Sequence, residues 1–378
     1  MDVVRAAFAV LMGVHGLIHT VGFARAFNPG PAPALTIPIS RPMGLLWLAS
    51  AILWVTAAIL VALSAGRWWL AAAPALILSQ VAIAGAWQDA RFGTLLNILL
   101  LIPLVVVGLM HAPWSFEAEF ARGTARVPLA SGAPPPPITD LDIAALPGPV
   151  QRYLRFTGAI GQPAVRNYRV RFKGGIREQA SDRFMPSTTD QFSEVDPAAR
   201  WFLMRASRAG IPFEALHVYR GSQATFRVRV AGALTVVSAS GPEMDQSETV
   251  TLFNDLCLLA PAALVTAPVT WHVVTDRAVH ARFVNAGHAI DAELTFDDDG
   301  ALVNFASDDR YRSADGKTFT RERWTTPVTS YRRFGSRRVA ATADARWTTA
   351  QGEFTYAQFE IADIAYNVPA VSSPAPAS

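Results

Sequence analysis

Four long apolar stretches near the N-terminus constrain this chain more than any other feature of its sequence. Each is close to the roughly 20 residues that a helix needs to cross a ~30 Å hydrocarbon core. A signal peptide would hold one shorter apolar run, so the first stretch is expected to stay uncleaved. The sequence therefore predicts four transmembrane helices within residues 1–111, with both chain termini on the same side of one membrane. The stretches are residues 3–27, 43–65, 68–87 and 92–110.

Charge divides the chain at the same place. The formal net charge of +3 comes from the N-terminal part, and the residues after about 115 carry equal numbers of basic and acidic side chains. A nucleic-acid-binding protein would show a basic domain or a basic stripe, and neither is present, so nucleic acid is not expected as a partner. Only two of the 33 basic residues are Lys, a bias typical of a GC-rich bacterial genome.

A proline run and a change of pattern predict how the rest of the chain is organised. Residues 112–146 are interpreted as a Pro-rich linker, because the run 134–137 favours a semi-rigid extended spacer. Residues 147–367 are expected to form one β-rich soluble domain. The last residues, 368–378, are expected to be a disordered tail.

Period-two alternation of apolar and polar residues is the main pattern of the predicted domain. It is clearest in residues 168–172, 225–230 and 292–296, and it is typical of half-buried antiparallel strands. One apolar helix is expected at 247–265, with a break near Pro261. The predicted fold is therefore α+β, a curved antiparallel sheet or open barrel wrapped on a helix. Further strands are expected at 200–206, 233–239, 270–274, 279–285, 301–306, 318–325, 338–347 and 353–365.

Polar side chains within this domain are candidates for a ligand site. Asn254 and Asp255 lie in the apolar helix, so one of them is expected to face a cavity, where an acid could act as a general base. The run 309–311 follows a predicted strand, and it predicts either a carboxylate–guanidinium site or an edge ion pair with an aromatic beside it. No second catalytic partner can be identified. Whether the protein is an enzyme therefore stays open, and the sequence favours a protein without catalytic activity. The ligand-binding candidates are Asn254, Asp255, Trp271, Asp309, Arg310 and Tyr311.

Metal and cofactor sites are not predicted in the soluble part. The single cysteine, Cys257, lies in an apolar run and is expected to be a buried hydrophobe, and alone it excludes a Cys-based metal cluster. The acidic run 297–300 lacks the spaced ligands of a calcium loop, and its Asp-Gly end predicts a hairpin turn.

His15 and His19 are the polar candidates in the membrane part. They lie four residues apart, so both project from one face of the first helix. Packing and interhelical hydrogen bonding is one interpretation. A proton or quinone role is a second interpretation. A third is a metal bound by the pair, or a haem that they hold together with His111. The interpretation favoured here is structural, and no cofactor is predicted.

Several short motifs stand out along the chain: 15–19 with Gly22-Phe23, 92–97, 149–154, 241–245, 261–264, 309–311 and 352–356. Together they resemble an uncharacterised bacterial family, domain of unknown function 6544. The resemblance covers most of the chain and implies no established activity. The curved sheet with its helix is also similar to periplasmic lipoprotein carriers of the LolA and LolB type, which is an analogy of fold only.

Three functions are compatible with these patterns. The first is a membrane-anchored binding protein that holds an apolar or lipid-like ligand in a β-cup. The second is a membrane redox or proton-handling enzyme that uses His15 and His19, and the third is a structural or partner-binding envelope protein. The expected location is a bacterial inner membrane with membrane lipids as partners. Positive charges flank the spans about equally on both sides and leave the orientation open, whereas the Pro-rich spacer and the carrier analogy favour an extracytoplasmic domain.

Overall fold

Apolar helices make up the first of two compact units, Met1–Ala112, and the second unit is Pro113–Ser378. The structure, a computed structural model, describes residues 3–28, 35–125 and 135–368. Among these residues, three helices of the first unit are long and apolar enough to cross a membrane. They are α1 (Val3–Phe27), α2 (Arg41–Ala62) and α5 (Gly93–Met110), and two shorter helices, α3 (Trp69–Gly85) and α4 (Trp87–Ala90), lie between α2 and α5.

The prediction of four spans is not confirmed, because α3 is shorter than expected. Its 17 residues give a length of about 26 Å, since each residue of a helix rises by about 1.5 Å. The helix ends where Ala86 leaves the helical region at φ −124° and ψ 37°. The chain then resumes as the four-residue α4.

Small residues bring α1 and α2 close together. A Cβ atom added to Gly16 would lie 2.9 Å from the Cβ of Trp54, and one added to Gly22 would collide with the ring of Trp47. Glycine at these positions therefore permits a backbone approach that a larger residue would prevent.

A single antiparallel sheet dominates the second unit. Its order is β6-β5-β4-β3-β2-β1-β13-β12-β11-β10-β9-β8-β7, so two meanders meet where β1 pairs with β13. The described strands are β1 (Asn167–Ile176), β2 (Met185–Glu194), β3 (Ala199–Arg208), β4 (Ile211–Arg220), β5 (Gln223–Val230), β6 (Leu234–Ser240), β7 (Val269–Thr275), β8 (Ala278–Asn285), β9 (His288–Phe296), β10 (Leu302–Arg312), β11 (Thr320–Phe334), β12 (Arg337–Thr349) and β13 (Gly352–Tyr366).

One buried helix, α9 (Pro242–Leu259), connects the two edge strands β6 and β7 and packs against the curved sheet. Its apolar side chains enter the main core, where the ring of Phe253 stacks on Phe283 at 4.8 Å between centroids. The predicted curved antiparallel sheet wrapped on a helix is therefore confirmed. The helix ends at Leu259 before a 3₁₀ turn, Pro261–Val265, as the proline predicts.

The helix starts five residues before the predicted position. Gly241 adopts φ 102° and ψ −178°, a conformation that essentially only glycine takes, and turns the chain into the helix. Pro242 then occupies the first turn, where its missing N–H costs no hydrogen bond. The apolar pattern begins later than this turn, which is why the pattern alone places the start at residue 247.

Two short helices lie inside the segment 112–146, where a spacer is expected. In α6 (Phe116–Ala125), Phe116 and Phe120 are buried against Trp201 and neighbouring residues of the sheet. The apolar contacts stabilise a helix there, so this part of the segment is packed rather than extended. A second helix, α7 (Asp140–Ile143), precedes a third, α8 (Gly148–Phe156). Most of the proposed tail, 369–378, lies outside the described residues, as do 126–134 of the segment.

Candidate functional site

A cavity of about 1000 Å³ lies between α9 and the sheet. Its walls are largely apolar and come from the strands, for example Phe202 and Met204 of β3, Phe226 of β5 and Phe359 of β13. The volume is at the upper end of the range usual for pockets that bind small molecules. The cavity is therefore large enough to hold a ligand of that class.

One face of α9 supplies a polar border to this apolar cavity. Glu248, Thr251 and Asp255 line it at spacings of three and four residues, which places them on the same side of a helix. Glu248 is fully buried, and Asp255 is only 7% exposed. Buried carboxylates need partners, because removing a charge from water is costly unless it is paired.

Arg200 of β3 pairs with both carboxylates. Its Nε atom lies 2.8 Å from Oδ2 of Asp255, and its Nη1 atom lies 3.1 Å from Oε2 of Glu248. Gln191 of β2 also donates to Oδ2 of Asp255, at 2.7 Å. These contacts satisfy the helix acids and fix α9 against the sheet.

His217 of β4 completes the contacts of Glu248. Its Nδ1 atom lies 3.1 Å from Oε1 of Glu248, and its ring packs on Phe226 at 4.1 Å between centroids. Burial lowers the pKa of His217, against the attraction of Glu248. Burial also opposes ionisation of Glu248, but the attraction of His217 and Arg200 lowers its pKa to about 2. An ionised carboxylate can only accept, so this contact requires a proton on Nδ1 of His217.

Arg310 of β10 also lines the cavity, and its guanidinium lies beside aromatic rings. Its guanidinium carbon is 4.2 Å from the ring centroid of Trp324 and 5.2 Å from that of Trp347. Its Nη1 atom donates to the hydroxyl of Tyr356 at 3.0 Å. Its Nη2 atom is 4.0 Å from Oε1 of Glu248, an electrostatic distance too long for a hydrogen bond.

Four of the six residues predicted from sequence line the cavity: Asn254, Asp255, Arg310 and Tyr311. The side chain of Asn254 accepts a hydrogen bond from Thr326 at 2.5 Å.

Asp309 and Trp271 are not among the lining residues. The run 309–311 lies inside β10 rather than after a strand, with a bulge between Ser307 and Arg310. Asp309 accepts from the backbone N–H of Asp291 at 2.7 Å and pairs with Arg321. Trp271 packs against Phe253, at 6.3 Å between ring centroids.

The sequence interpretation missed Arg200, His217, Gln191 and the role of Glu248. Glu248 and Asp255 are seven residues apart in an apolar helix, a spacing that indicates one shared face. Arg200 directly precedes the apolar run 201–204, where a charge predicts a buried partner. No local sequence pattern identifies His217, because its contact with Glu248 joins β4 to α9, which are distant in the chain.

The two histidines of the first unit lie in a buried polar cluster. His15 Nε2 lies 2.9 Å from Oδ1 of Asn97 and 3.3 Å from the hydroxyl of Ser79. The His19 ring is 4.8 Å from that of His15, and its two nitrogens have no hydrogen-bond partner in the described structure. His111 stacks on Trp69 instead. No group of three potential metal ligands occurs among the described residues.

Comparison with known proteins places the chain by family. No protein of curated function matches it. One solved structure, that of a DUF1329 family protein from Desulfovibrio piger ATCC 29098, matches with a TM-score of 0.32 and 11% identity, covering 54% of this chain and 87% of that one. The model of a family described as "Family of unknown function (DUF6544)" matches residues 136–359, more than half of the chain. The chain therefore belongs to the DUF6544 family.

Proposed function

We propose that the second unit binds an apolar or lipid-like ligand in the cavity beside α9, and that the helical unit anchors it at a membrane. The observation that carries the proposal is the cavity of about 1000 Å³ with its mostly apolar lining. A structural protein with a filled core would not need such a space.

The chemistry of the lining favours an elongated apolar ligand with one polar end. Each methylene group that leaves water contributes about 0.8 kcal/mol, so an acyl chain gains most from walls of this kind. The buried charged side chains of the lining, those of Glu248, Asp255, Arg200 and Arg310, lie together at α9 and the facing strands, and the other charged residues of the lining are less buried. A ligand with one polar end and a long apolar part matches this division.

The helical unit supports a membrane location. Three described helices have the length and hydropathy of membrane spans. We propose that α3 is a fourth span, because its polar side chains face those of α5: Ser79 donates to Asn97 at 2.9 Å, and Asn97 donates to Gln80 at 2.9 Å. Hydrogen bonds of this kind stabilise helix pairs inside a bilayer. Four spans and an extracytoplasmic β-rich domain in a bacterial inner membrane form the location proposed.

An uncharged long-chain alkyl diazirine tests ligand binding in the full chain. The chain would be reconstituted in vesicles with the probe, irradiated and mapped by peptide mass spectrometry. Adducts on the apolar helices come from probe dissolved in the bilayer, so they serve as the internal standard. The proposal expects additional adducts on cavity residues such as Met204 and Phe359.

A matched pair of variants distinguishes probe binding in the cavity from probe binding on the sheet surface. Ala343→Phe places a ring in the cavity, whereas Ala362→Phe places the same ring on an exposed position of the neighbouring strand β13. Only Ala343→Phe should reduce the cavity adducts. Adducts confined to the helices in the wild-type protein would contradict the proposal.

A further inference from the structure

We propose that the polar end of this ligand is a single carboxylate, which Arg310 binds beside Tyr356. The inference rests on the proposed function and specifies its ligand: a long-chain carboxylic acid rather than an uncharged lipid. The carrying observation is a buried guanidinium at the cavity whose hydrogen-bonding capacity is mostly unused.

Arg310 has few partners for its degree of burial. Its side chain is enclosed, and the residue is only 9% exposed. Of the five N–H donors of a guanidinium, one hydrogen bond is made, to Tyr356, while the buried Nε atom has no partner in the described structure. A buried donor without an acceptor costs free energy, so a ligand acceptor at this place is favoured.

Arg200 differs from Arg310 in this respect. It donates to Asp255, Glu248 and Gln191, so its donors are used within the protein. The nearest carboxylate to Arg310 is that of Glu248, at 4.0 Å, which is too far for a hydrogen bond. Of the two buried guanidiniums, Arg310 is the one with capacity for a ligand.

The surroundings of Arg310 hold its guanidinium in place. It lies over the rings of Trp324 and Trp347, in contacts that stabilise a cation. The hydroxyl oxygen of Tyr356 accepts from Arg310 at 3.0 Å and from Nε1 of Trp324 at 3.1 Å. The hydroxyl proton of Tyr356 has no acceptor among the described residues and is available to a ligand. A carboxylate could therefore accept from Arg310 and Tyr356 together, and pairing with a guanidinium is among the strong hydrogen-bonded contacts.

Charge at the site favours a head group with one negative charge. The carboxylate of Glu248 lies 4.0 Å from Arg310, so it repels a negative head group bound there, and the repulsion grows with the charge of the ligand. A phosphate monoester, with up to two negative charges, would also lie near the Glu248 carboxylate. A monovalent carboxylate meets less repulsion.

Three photoactivatable probes with the same diazirine chain test the head group. One ends in a carboxylate, one in a primary alcohol and one in a phosphate monoester. Each is added to the full chain in vesicles at mildly alkaline pH, and adducts are counted on cavity peptides relative to helix peptides. The carboxylate probe should label the cavity at least about tenfold more than the alcohol, as expected for a hydrogen bond to a charged group. Preferential labelling by the phosphate probe would overturn the choice of a carboxylate.

Three variants show whether Arg310 and Tyr356 cause this preference. Arg310→Gln should remove it, and Arg321→Gln, which alters an arginine paired with Asp309 outside the cavity, should keep it. Tyr356→Phe, which keeps the ring, should weaken the preference even if Arg310→Gln fails to fold. Equal labelling by carboxylate and alcohol would overturn this inference and leave the proposed function intact. Absence of cavity labelling by every probe, the alkyl diazirine included, would overturn the proposed function itself.

Discussion

One buried carboxylate, that of Glu248, connects the basic side chains around the cavity. It lies 3.1 Å from Arg200, 3.1 Å from His217 and 4.0 Å from Arg310. Buried ion pairs of this kind contribute little net stability compared with apolar packing, because desolvation offsets their attraction. Their effect here is to hold three side chains of different strands in fixed positions relative to α9.

Replacing Glu248 by Gln should destabilise the β-rich domain strongly. The substitution leaves the buried Arg200 with one carboxylate partner, and breaking a buried pair from one side costs about 3–5 kcal/mol. Glu353→Gln is the matched control, because Glu353 pairs with Arg346 at 3.0 Å but its side chain is 46% exposed. The control should lose less than about 1 kcal/mol. Denaturant unfolding of the full chain, followed by the β signal in circular dichroism, measures both values. Equal losses in the two variants would contradict the role given to Glu248.

In the proposed membrane location, α3 determines whether the chain crosses the bilayer three or four times. It is shorter than α1, α2 and α5, yet it shares buried polar contacts with α5. A span of about 26 Å falls a few ångströms short of the hydrocarbon core, and a bilayer accommodates such a mismatch at modest cost by local thinning. Four spans would return the chain to the side on which it started.

Single cysteines on either side of α3 test this topology. Gly66→Cys and Gln88→Cys are placed at exposed positions before and after the helix, and Ala362→Cys reports the β-rich domain. The native Cys257 is buried and gives the background. With four spans, an impermeant thiol reagent should label Gly66→Cys and Ala362→Cys from one side and Gln88→Cys from the other. Labelling of Gly66→Cys and Gln88→Cys from the same side would show that α3 does not cross.

The sequence patterns missed β4 and β2. In these strands, polar and apolar side chains do not alternate with solvent-facing and buried positions. In β4, Leu216 packs in the cluster with Phe116 on one face, while Ala215 and His217 face the cavity on the other. A strand covered on both faces has no polar–apolar alternation to detect. Strand β2, Met185–Glu194, is mostly polar although several of its side chains are buried. The strands with one exposed face, such as β8 and β9, are predicted by their alternation.

Two patterns in the sequence predicted part of the candidate site. Asp255 is a charge within an apolar helix, and Arg310 belongs to a polar run after a predicted strand; both line the cavity. Their partners were not predictable, because Arg200 lies 55 residues from Asp255 and 48 from Glu248 in the chain. Such contacts depend on how the two meanders curve around α9, and local periodicity does not encode that curvature.

The proposed function assigns a different role to each of the two units. In the proposed function, the apolar helices of Met1–Ala112 anchor the protein at a membrane, and the sheet and α9 of Pro113–Ser378 form the cavity. In this account the ligand comes from the membrane lipids, so a fraction of the purified protein should already contain it.

Native mass spectrometry of the purified full chain, released gently from detergent, tests the central claim most directly. The account predicts a discrete additional mass on the wild-type protein, retained by Ala362→Phe and lost by Ala343→Phe, with lipid extraction identifying a long-chain molecule. The contradicting result is the mass of the protein alone in all three forms, with melting temperatures that do not differ among them. It would show that the cavity does not hold a lipid-like ligand.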